Sequence, residues 1–187
     1  MSNFPKLIPA FTVQIHLGTP SPIGTLAHGP SQLHAPFLPD AGALVSEPDY
    51  PLRIDAVFLH GSDFLRFDPD GSRARLEVAS ALRDRATGAV IRFDYTGTID
   101  ISGPAGRVLK DLPGAGTTEF GDACEFSMLF SSGGQAKPGH AVTSAKFESG
   151  HEALRELQNK VYVGSGRFVL EEGKPIVVEY KISEVVA

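Results

Sequence analysis

The sequence is poor in cysteine and in long apolar runs. Its one cysteine, Cys124, cannot form an intramolecular disulfide, so the chain is not a disulfide-stabilised secreted scaffold. No stretch approaches the ~20 apolar residues of a membrane-spanning helix. Residues 1–18 also lack the basic segment followed by an apolar run that marks a signal peptide. We therefore expect a soluble, cytoplasmic protein that does not act at a membrane.

Basic residues are in the minority as well. The chain has 17 Lys and Arg against 22 Asp and Glu, which gives a formal charge of −5. Proteins that bind nucleic acid or an anionic membrane normally carry a basic patch, and no basic cluster is present here. We expect neither partner, while the sequence leaves open whether the chain forms a homo-oligomer.

Glycine and proline, by contrast, are abundant, with 20 and 14 residues among 187. Such numbers are typical of a chain in which many turns separate short strands. The length suits a single domain, residues 1–187, that buries a sizeable core.

The clearest strand signal lies in residues 73–100, where two alternating segments flank a predicted turn at Ala86-Thr87-Gly88. One face is apolar: Leu76, Val78, Leu82, Ile91, Phe93, Tyr95 and Ile99. The other is largely charged: Arg73, Arg75, Glu77, Arg83, Arg92, Asp94, Thr96 and Asp100. In a flat sheet the charged face would lie in solvent, whereas in a barrel either face could line a cavity. The sequence leaves this choice open.

Similar alternation elsewhere predicts further strands at residues 11–17, 54–60, 64–67, 124–130, 141–148, 160–170 and 174–185. The proline-rich residues 19–51 predict a wrapping loop with one short strand near residues 43–46, and the glycine-rich residues 102–121 predict a loop over one rim. Residues 151–159 predict the one helix, capped by Ser149. The fold class predicted is all-β, an antiparallel β-barrel of roughly eight to ten strands with one short helix.

Motifs for cofactors and covalent catalysis are missing. The six histidines show no metal-ligand spacing. Gly164-Ser165-Gly166 lacks the strand-to-helix turn of a nucleophile elbow, and its glycines predict a bulge or a close backbone approach instead. Cys124 falls on an apolar strand face, where an inert buried thiol is expected. We expect no cofactor: no metal, nucleotide or flavin.

The remaining candidates are residues that could act in acid–base catalysis. Asp63, beside Phe64 at a bend predicted at Gly61, is either a turn-capping residue or a carboxyl in a barrel mouth. Glu77 is by default part of a surface ion pair. Tyr95 is either a core tyrosine or a phenol directed at a ligand.

Several segments carry a family resemblance: GSDFLRFDPDGSRARLEVASALRD, AVIRFDYTG, TTEFGD, KFESG and NKVYVGSGRFVLEEGKPIVVEYKISEV. Together, from about residue 11 to residue 185, they resemble the fungal branch of the domain-of-unknown-function 3237 family. The resemblance implies a small antiparallel β-barrel with a central cavity. Some fungal members resemble cyclases of secondary metabolism that close an oxygen ring by hydroalkoxylation of a prenylated phenol.

Individual positions carry over from this resemblance. Asp63 and Phe64 match the family's Gly-x-Asp-aromatic motif, Glu77 an acidic position, and Tyr95 the tyrosine of Tyr-Thr-Gly. Two departures stand out, because Phe64 replaces the usual Trp and residues 79–80 lack a common arginine.

The predicted function is a cofactor-independent cyclase or isomerase acting on a small aromatic, prenylated, polyketide-type substrate. Asp63, with Glu77 as second choice, would donate a proton, and Tyr95 or Arg92 would orient or deprotonate the phenol. Since Tyr95 and Arg92 lie on opposite faces, at most one of them lines the lumen. The predicted substrate-binding residues are Phe64, Phe93, Phe126, Phe130 and Tyr162. The alternative is a non-catalytic barrel that binds an apolar small molecule.

Overall fold

The structure, a computed structural model, describes residues 3–121 and 143–187. These residues contain ten β-strands, one short α-helix and one 3₁₀ helix. The strands are β1 (Lys6–His16), β2 (Ser21–Thr25), β3 (Ser31–Pro36), β4 (Ala43–Ser46), β5 (Asp55–Phe67), β6 (Arg73–Asp84), β7 (Val90–Asp100), β8 (Thr143–Glu148), β9 (Val161–Val169) and β10 (Val177–Val186). The α-helix, α1, is Pro104–Leu109, and the 3₁₀ helix is Glu152–Asn159.

Eight of these strands close into a barrel. Their order around the wall is β5–β4–β1–β10–β9–β8–β7–β6, and pairing of β6 with β5 completes the circle. All the pairings are antiparallel. The β2–β3 hairpin extends the wall, because β3 pairs with the second half of β5 while β4 pairs with the first. The predicted antiparallel β-barrel is confirmed.

The β6–β7 pair shows why the chain folds this way. Val78 lies opposite Tyr95 in the register, so the two apolar faces coincide and turn inward. The connecting turn is held by Asp84, whose Oδ2 accepts hydrogen bonds from Thr87 N (2.9 Å) and Thr87 Oγ1 (2.7 Å). Gly88 supplies the left-handed backbone of the turn, with φ 72°. The apolar face therefore forms the interior, and the charged face is the outer surface.

Aromatic side chains fill one half of the barrel, here called the aromatic half. Phe11 lies among Tyr50, Phe147 and Tyr162, with ring centroids 5.0–5.6 Å apart. Phe93 stacks on Phe147 at 4.8 Å with an interplanar angle of 12°. Edge-to-face and offset contacts of this kind stabilise a core beyond the area they bury. Buried rings pack this half, and the cavity lies in the other half, toward the ends of β1, β5, β7 and β9.

Three predicted segments differ in the structure. Residues 19–51 contain β2 and β3 as well as the predicted β4, since prolines at the edge of a sheet or at a strand end need not donate a ladder hydrogen bond. Residues 102–121 contain α1, which begins with Pro104 at its first turn, a favoured position. The two strands predicted around Gly61 are one strand, β5, whose irregularity lies between Phe58 and His60.

The predicted helix at residues 151–159 is a 3₁₀ helix whose N-terminal cap position is His151, not Ser149. The Ser149 Oγ instead donates a hydrogen bond to Val90 O (2.9 Å) and accepts one from His151 N (3.3 Å). The strand predicted at residues 124–130 lies outside the described residues.

Candidate functional site

The candidate site is a cavity of about 350 Å³ in the half of the barrel opposite the aromatic core. Its walls come mainly from strands, and α1 contributes two apolar side chains at one side. The lining residues are mostly aliphatic and aromatic: Leu17, Pro20, Leu33, Ala35, Phe37, Asp63, Leu65, Leu76, Tyr95, Ile99, Val108, Leu109, Asp111, Phe168, Ile176, Val178 and Tyr180.

Asp63 is the buried carboxyl of this cavity. It occupies an inward position of β5, two residues before Leu65, and is 7 % exposed. Its Oδ1 accepts a hydrogen bond from Glu77 N at 2.9 Å, across the β5–β6 pairing. No hydrogen bond to its Oδ2 is found among the described residues, and the side chain lines the cavity. The carboxyl is thus held at one oxygen and directed into an apolar space.

Burial controls the charge of this carboxyl. Removal from water disfavours the ionised form and raises the pKa of Asp63 to about 7. The hydrogen bond from Glu77 N lowers that pKa, and the nearby charge of the Glu77 side chain raises it further. Near neutral pH the Asp63 carboxyl is therefore populated in its protonated form, so it can donate a proton there and accept one back.

Two tyrosines lie on the wall of the same cavity. Tyr95 is buried on β7, and its ring centroid is 5.1 Å from that of Tyr180 on β10, with an interplanar angle of 63°. Phe93 lies 5.3 Å from Tyr95 on the aromatic side and does not line the cavity. Both tyrosine rings therefore form part of the cavity wall, and Phe93 packs against Tyr95 from the aromatic half.

Asp111 is a lining carboxyl that the sequence did not indicate. It is exposed, follows α1, and has a left-handed backbone with φ 48°. Asp63 and Asp111 are the acidic residues among the described lining residues, which include no Lys, Arg or His. The helix that positions Asp111 lies in the segment predicted to be a loop, and no local pattern distinguished this aspartate from others in turns.

The structure does not bring Glu77 and Arg92 to the cavity. The Glu77 side chain is 59 % exposed and pairs with Arg66 at 3.0 Å. Arg92 is 62 % exposed and pairs with Asp94 (2.6 Å) and Glu148 (3.2 Å). Both lie on the charged outer face, because they alternate with the inward residues of β6 and β7. Of Tyr95 and Arg92, it is Tyr95 that faces the lumen.

The predicted substrate-binding residues that lie in the described part of the chain do not line the cavity either. Phe64 is half-exposed on the outer surface, with its ring 5.0 Å from that of His34. Tyr162 is fully buried in the aromatic half, where its hydroxyl lies 2.9 Å from that of Tyr50. Phe126 and Phe130 lie outside the described residues.

Tyr162 belongs to a buried polar chain of its own. The Tyr50 hydroxyl donates to Glu184 Oε2 at 2.6 Å, and Lys160 Nζ donates to Glu184 Oε1 at 2.7 Å. Burial raises the pKa of Tyr162 to about 12, so its hydroxyl stays neutral. These polar groups satisfy one another, as buried polar groups normally must, and explain how a carboxylate fits beside an aromatic core.

We expect Arg92→Gln to leave the free energy of unfolding nearly unchanged, because exposed ion pairs contribute little in water. Urea denaturation of the wild type and the variant, with the same denaturant slope, measures this change. A clearly lower urea midpoint in the variant would contradict the placement of Arg92 on the solvated face.

Neither a metal-binding cluster nor a membrane-spanning helix is found in the described part of the chain. Within residues 3–121 and 143–187, no group of three or more His, Cys, Asp or Glu side chains is arranged to hold a metal ion. In the same part of the chain, no helix is both long enough and apolar enough to cross a membrane. The expectation that the protein needs no cofactor stays a prediction.

Comparison with known proteins places this geometry in context. The family model described as "Protein of unknown function (DUF3237)" matches residues 5–185. No curated protein matches the chain.

Several solved structures share the fold. A conserved protein of unknown function from Rhodopseudomonas palustris is 19% identical, with a TM-score of 0.70, over 99% of this chain and 100% of its own. A beta-barrel like protein from Acinetobacter baumannii AYE is 16% identical, with a TM-score of 0.65, over 100% and 99%. An enzyme from Penicillium herquei is 12% identical, with a TM-score of 0.58, over 100% and 98%. At these identities the likeness shows the barrel fold alone.

Proposed function

The chain belongs to the DUF3237 family of proteins of unknown function, and we propose that it is a cofactor-independent cyclase or isomerase. The proposed substrate is a small prenylated phenol of the polyketide type, as in the fungal branch that the motifs resemble. The single observation that carries the proposal is Asp63, a carboxyl buried in an apolar cavity with its pKa raised to about 7. The Penicillium herquei protein supports this proposal, because it shares the fold and is described as an enzyme.

Asp63 has the properties of a general acid that works at neutral pH. A proton donor is most effective when its pKa lies near the working pH, and carboxyl groups reach that range when an apolar site disfavours their charge. The hydrogen bond from Glu77 N fixes Oδ1 at 2.9 Å, and the side chain lines the cavity. Asp63 would therefore present its proton from a fixed position.

The proposed reaction adds the phenol oxygen to the alkene of the prenyl group. Asp63 donates its proton to the less substituted alkene carbon, which forms a C–H bond and leaves a tertiary cation. The phenol oxygen attacks that cation and forms the C–O bond, and the phenol proton returns to the Asp63 carboxylate. The product has the same elemental composition as the substrate, so no oxidant, reductant or co-reactant is needed. One carboxyl serves as acid and then as base.

The cavity suits a cationic intermediate of this kind. Tyr95, Tyr180 and Phe168 line it, and the faces of aromatic rings attract positive charge, most strongly where water is excluded. The Asp63 carboxylate, once it has given up its proton, also stabilises the cation. The volume of about 350 Å³ lies at the lower end of the range for small-molecule pockets, about 300–1,000 Å³. A substrate of one or two rings with a short prenyl chain fits that size.

We expect the protein to convert 2-prenylphenol to 2,2-dimethylchroman and, in D₂O, to place one deuterium on the carbon next to the new quaternary centre. The deuterium would come from Asp63, which exchanges its proton with solvent. Mass spectrometry and proton NMR of the product measure the conversion and the position of the label, with buffer alone as control. Tight binding of 2-prenylphenol without conversion would contradict the proposed enzymatic activity and favour the alternative, a non-catalytic binding protein.

A further inference from the structure

We infer that two glycines, Gly166 and Gly61, set the width of the cavity and so select ring-bearing ligands over open-chain ones. The inference rests on the proposed function only in taking this cavity as the ligand site. Each glycine lies under an aromatic side chain that lines the cavity, Tyr180 for Gly166 and Phe37 for Gly61. Both rings can lie close to the wall because neither glycine has a side chain.

Gly166 on β9 lies directly opposite Tyr180 on β10 in the strand register. A Cβ atom added at position 166 would lie 2.5 Å from Tyr180 Cε1 and 2.8 Å from its Cδ1. Real Cβ atoms do not approach other atoms this closely, so the ring would have to move. The backbone of Gly166 has no positive φ, so the glycine is needed for space and not for conformation.

Gly61 on β5 has the same relation to Phe37. A Cβ atom at position 61 would lie 2.5 Å from Phe37 Cδ2 and 2.6 Å from Ser80 Cβ. The backbone of Phe37 is fixed beside this glycine by a hydrogen bond from Phe37 N to Gly61 O at 2.9 Å. The ring is therefore held close to the β5 backbone, as Tyr180 is held close to β9.

The two glycines lie on facing walls of the barrel. In the closed order of eight strands, β5 and β9 are four strands apart, which is the largest separation that an eight-stranded barrel allows. A methyl group at position 166 or 61 would displace the adjacent ring, Tyr180 or Phe37, and each of these rings lines the cavity. The distance between the Tyr180 and Phe37 rings therefore sets the width that a rigid planar ligand must fit. A flexible chain can bend around a displaced ring.

The test compares 2-naphthol with 1-decanol, which share ten carbons and one hydroxyl but differ in shape. We expect Gly166→Ala to raise the Kd of 2-naphthol at least ~10-fold, the usual effect of one methyl group in a fitted pocket, and that of 1-decanol less than ~3-fold. Isothermal titration calorimetry measures both values. Gly150→Ala is the matched control, since Gly150 has no atom within 4 Å of its Cβ position and should leave both values unchanged.

A second variant covers the case in which Gly166→Ala does not fold. Tyr180→Leu removes the ring instead of displacing it, so we expect the preference for 2-hydroxyanthracene over 2-naphthol to rise at least ~3-fold. An unchanged preference in Tyr180→Leu would overturn the inference. Equal losses of both ligands in Gly166→Ala, or wild-type protein that binds no 2-naphthol, would do so as well. If the Kd values change as expected but the wild type does not convert 2-prenylphenol, the inference is upheld and the proposed function is contradicted.

Discussion

We expect Asp63→Asn to lower turnover of 2-prenylphenol by at least ~10²-fold, which is the usual effect of losing a general acid–base group. The amide has nearly the shape of the carboxyl, and its Oδ1 can still accept the hydrogen bond from Glu77 N. It has no acidic proton to give to the alkene. Steady-state kinetics measures the loss, and the Kd of 2-prenylphenol, expected to change less than ~3-fold, shows that the cavity is intact.

Asp111→Asn is the matched control, because it changes the other carboxyl among the described lining residues, one that is exposed at the edge of the cavity. We expect this variant to keep turnover within ~3-fold of the wild type. Near-wild-type turnover in Asp63→Asn would mean that Asp63 is not the proton donor. The proton donor would then have to be sought elsewhere, first at Tyr95, which lines the same cavity.

The second large effect is on stability above neutral pH. The unfolded chain ionises Asp63 near its ordinary pKa of 3.8, whereas burial raises the pKa in the folded state to about 7. Between these values the Asp63 carboxyl binds more protons in the folded state, so its contribution to the free energy of unfolding falls as the pH rises, by about 1.4 kcal/mol per pH unit. The full cost, about 4 kcal/mol as an upper estimate, is reached above pH 7 and is absent below pH 4.

Because Asn cannot ionise, Asp63→Asn avoids this cost. We expect the variant to match the wild type near pH 4 and to be more stable than the wild type at pH 8, by up to about 4 kcal/mol. Urea unfolding at both pH values measures the difference, and other titrating groups cancel because both proteins share them. A difference that is the same at pH 4 and pH 8 would contradict a raised pKa at Asp63.

Much of the barrel could be predicted from the sequence because strand alternation is local. The β6–β7 pair shows this best: its apolar and charged faces follow directly from the order of residues. The choice of which face lines the lumen could not be predicted, since that depends on closure of the barrel through the β5–β6 pairing. With closure known, Tyr95 lies inside and Arg92 outside.

The candidate site could be anticipated only in part. Asp63 could be selected because it lies beside Phe64 at a predicted bend and on the Gly-x-Asp-aromatic motif, but the local pattern fits a turn cap equally well. Its burial arises from distant contacts, such as its position opposite Val78 on β6. Asp111 and α1 were missed because glycines and prolines around them favour a loop. The position of Tyr162 in the aromatic half could not be predicted either, since it packs on Phe11 and Phe147, which are distant in the sequence.

The most direct test of the account is the pKa of Asp63 itself. Carbon-13 NMR of the side-chain carboxyl groups, in protein labelled at aspartate, follows each carboxyl through a pH titration from 3 to 9. The resonance that disappears in Asp63→Asn identifies Asp63. We predict that it titrates with a pKa of about 7, while a midpoint below about 5, close to that of an ordinary aspartate, would contradict a proton-donating carboxyl in this cavity.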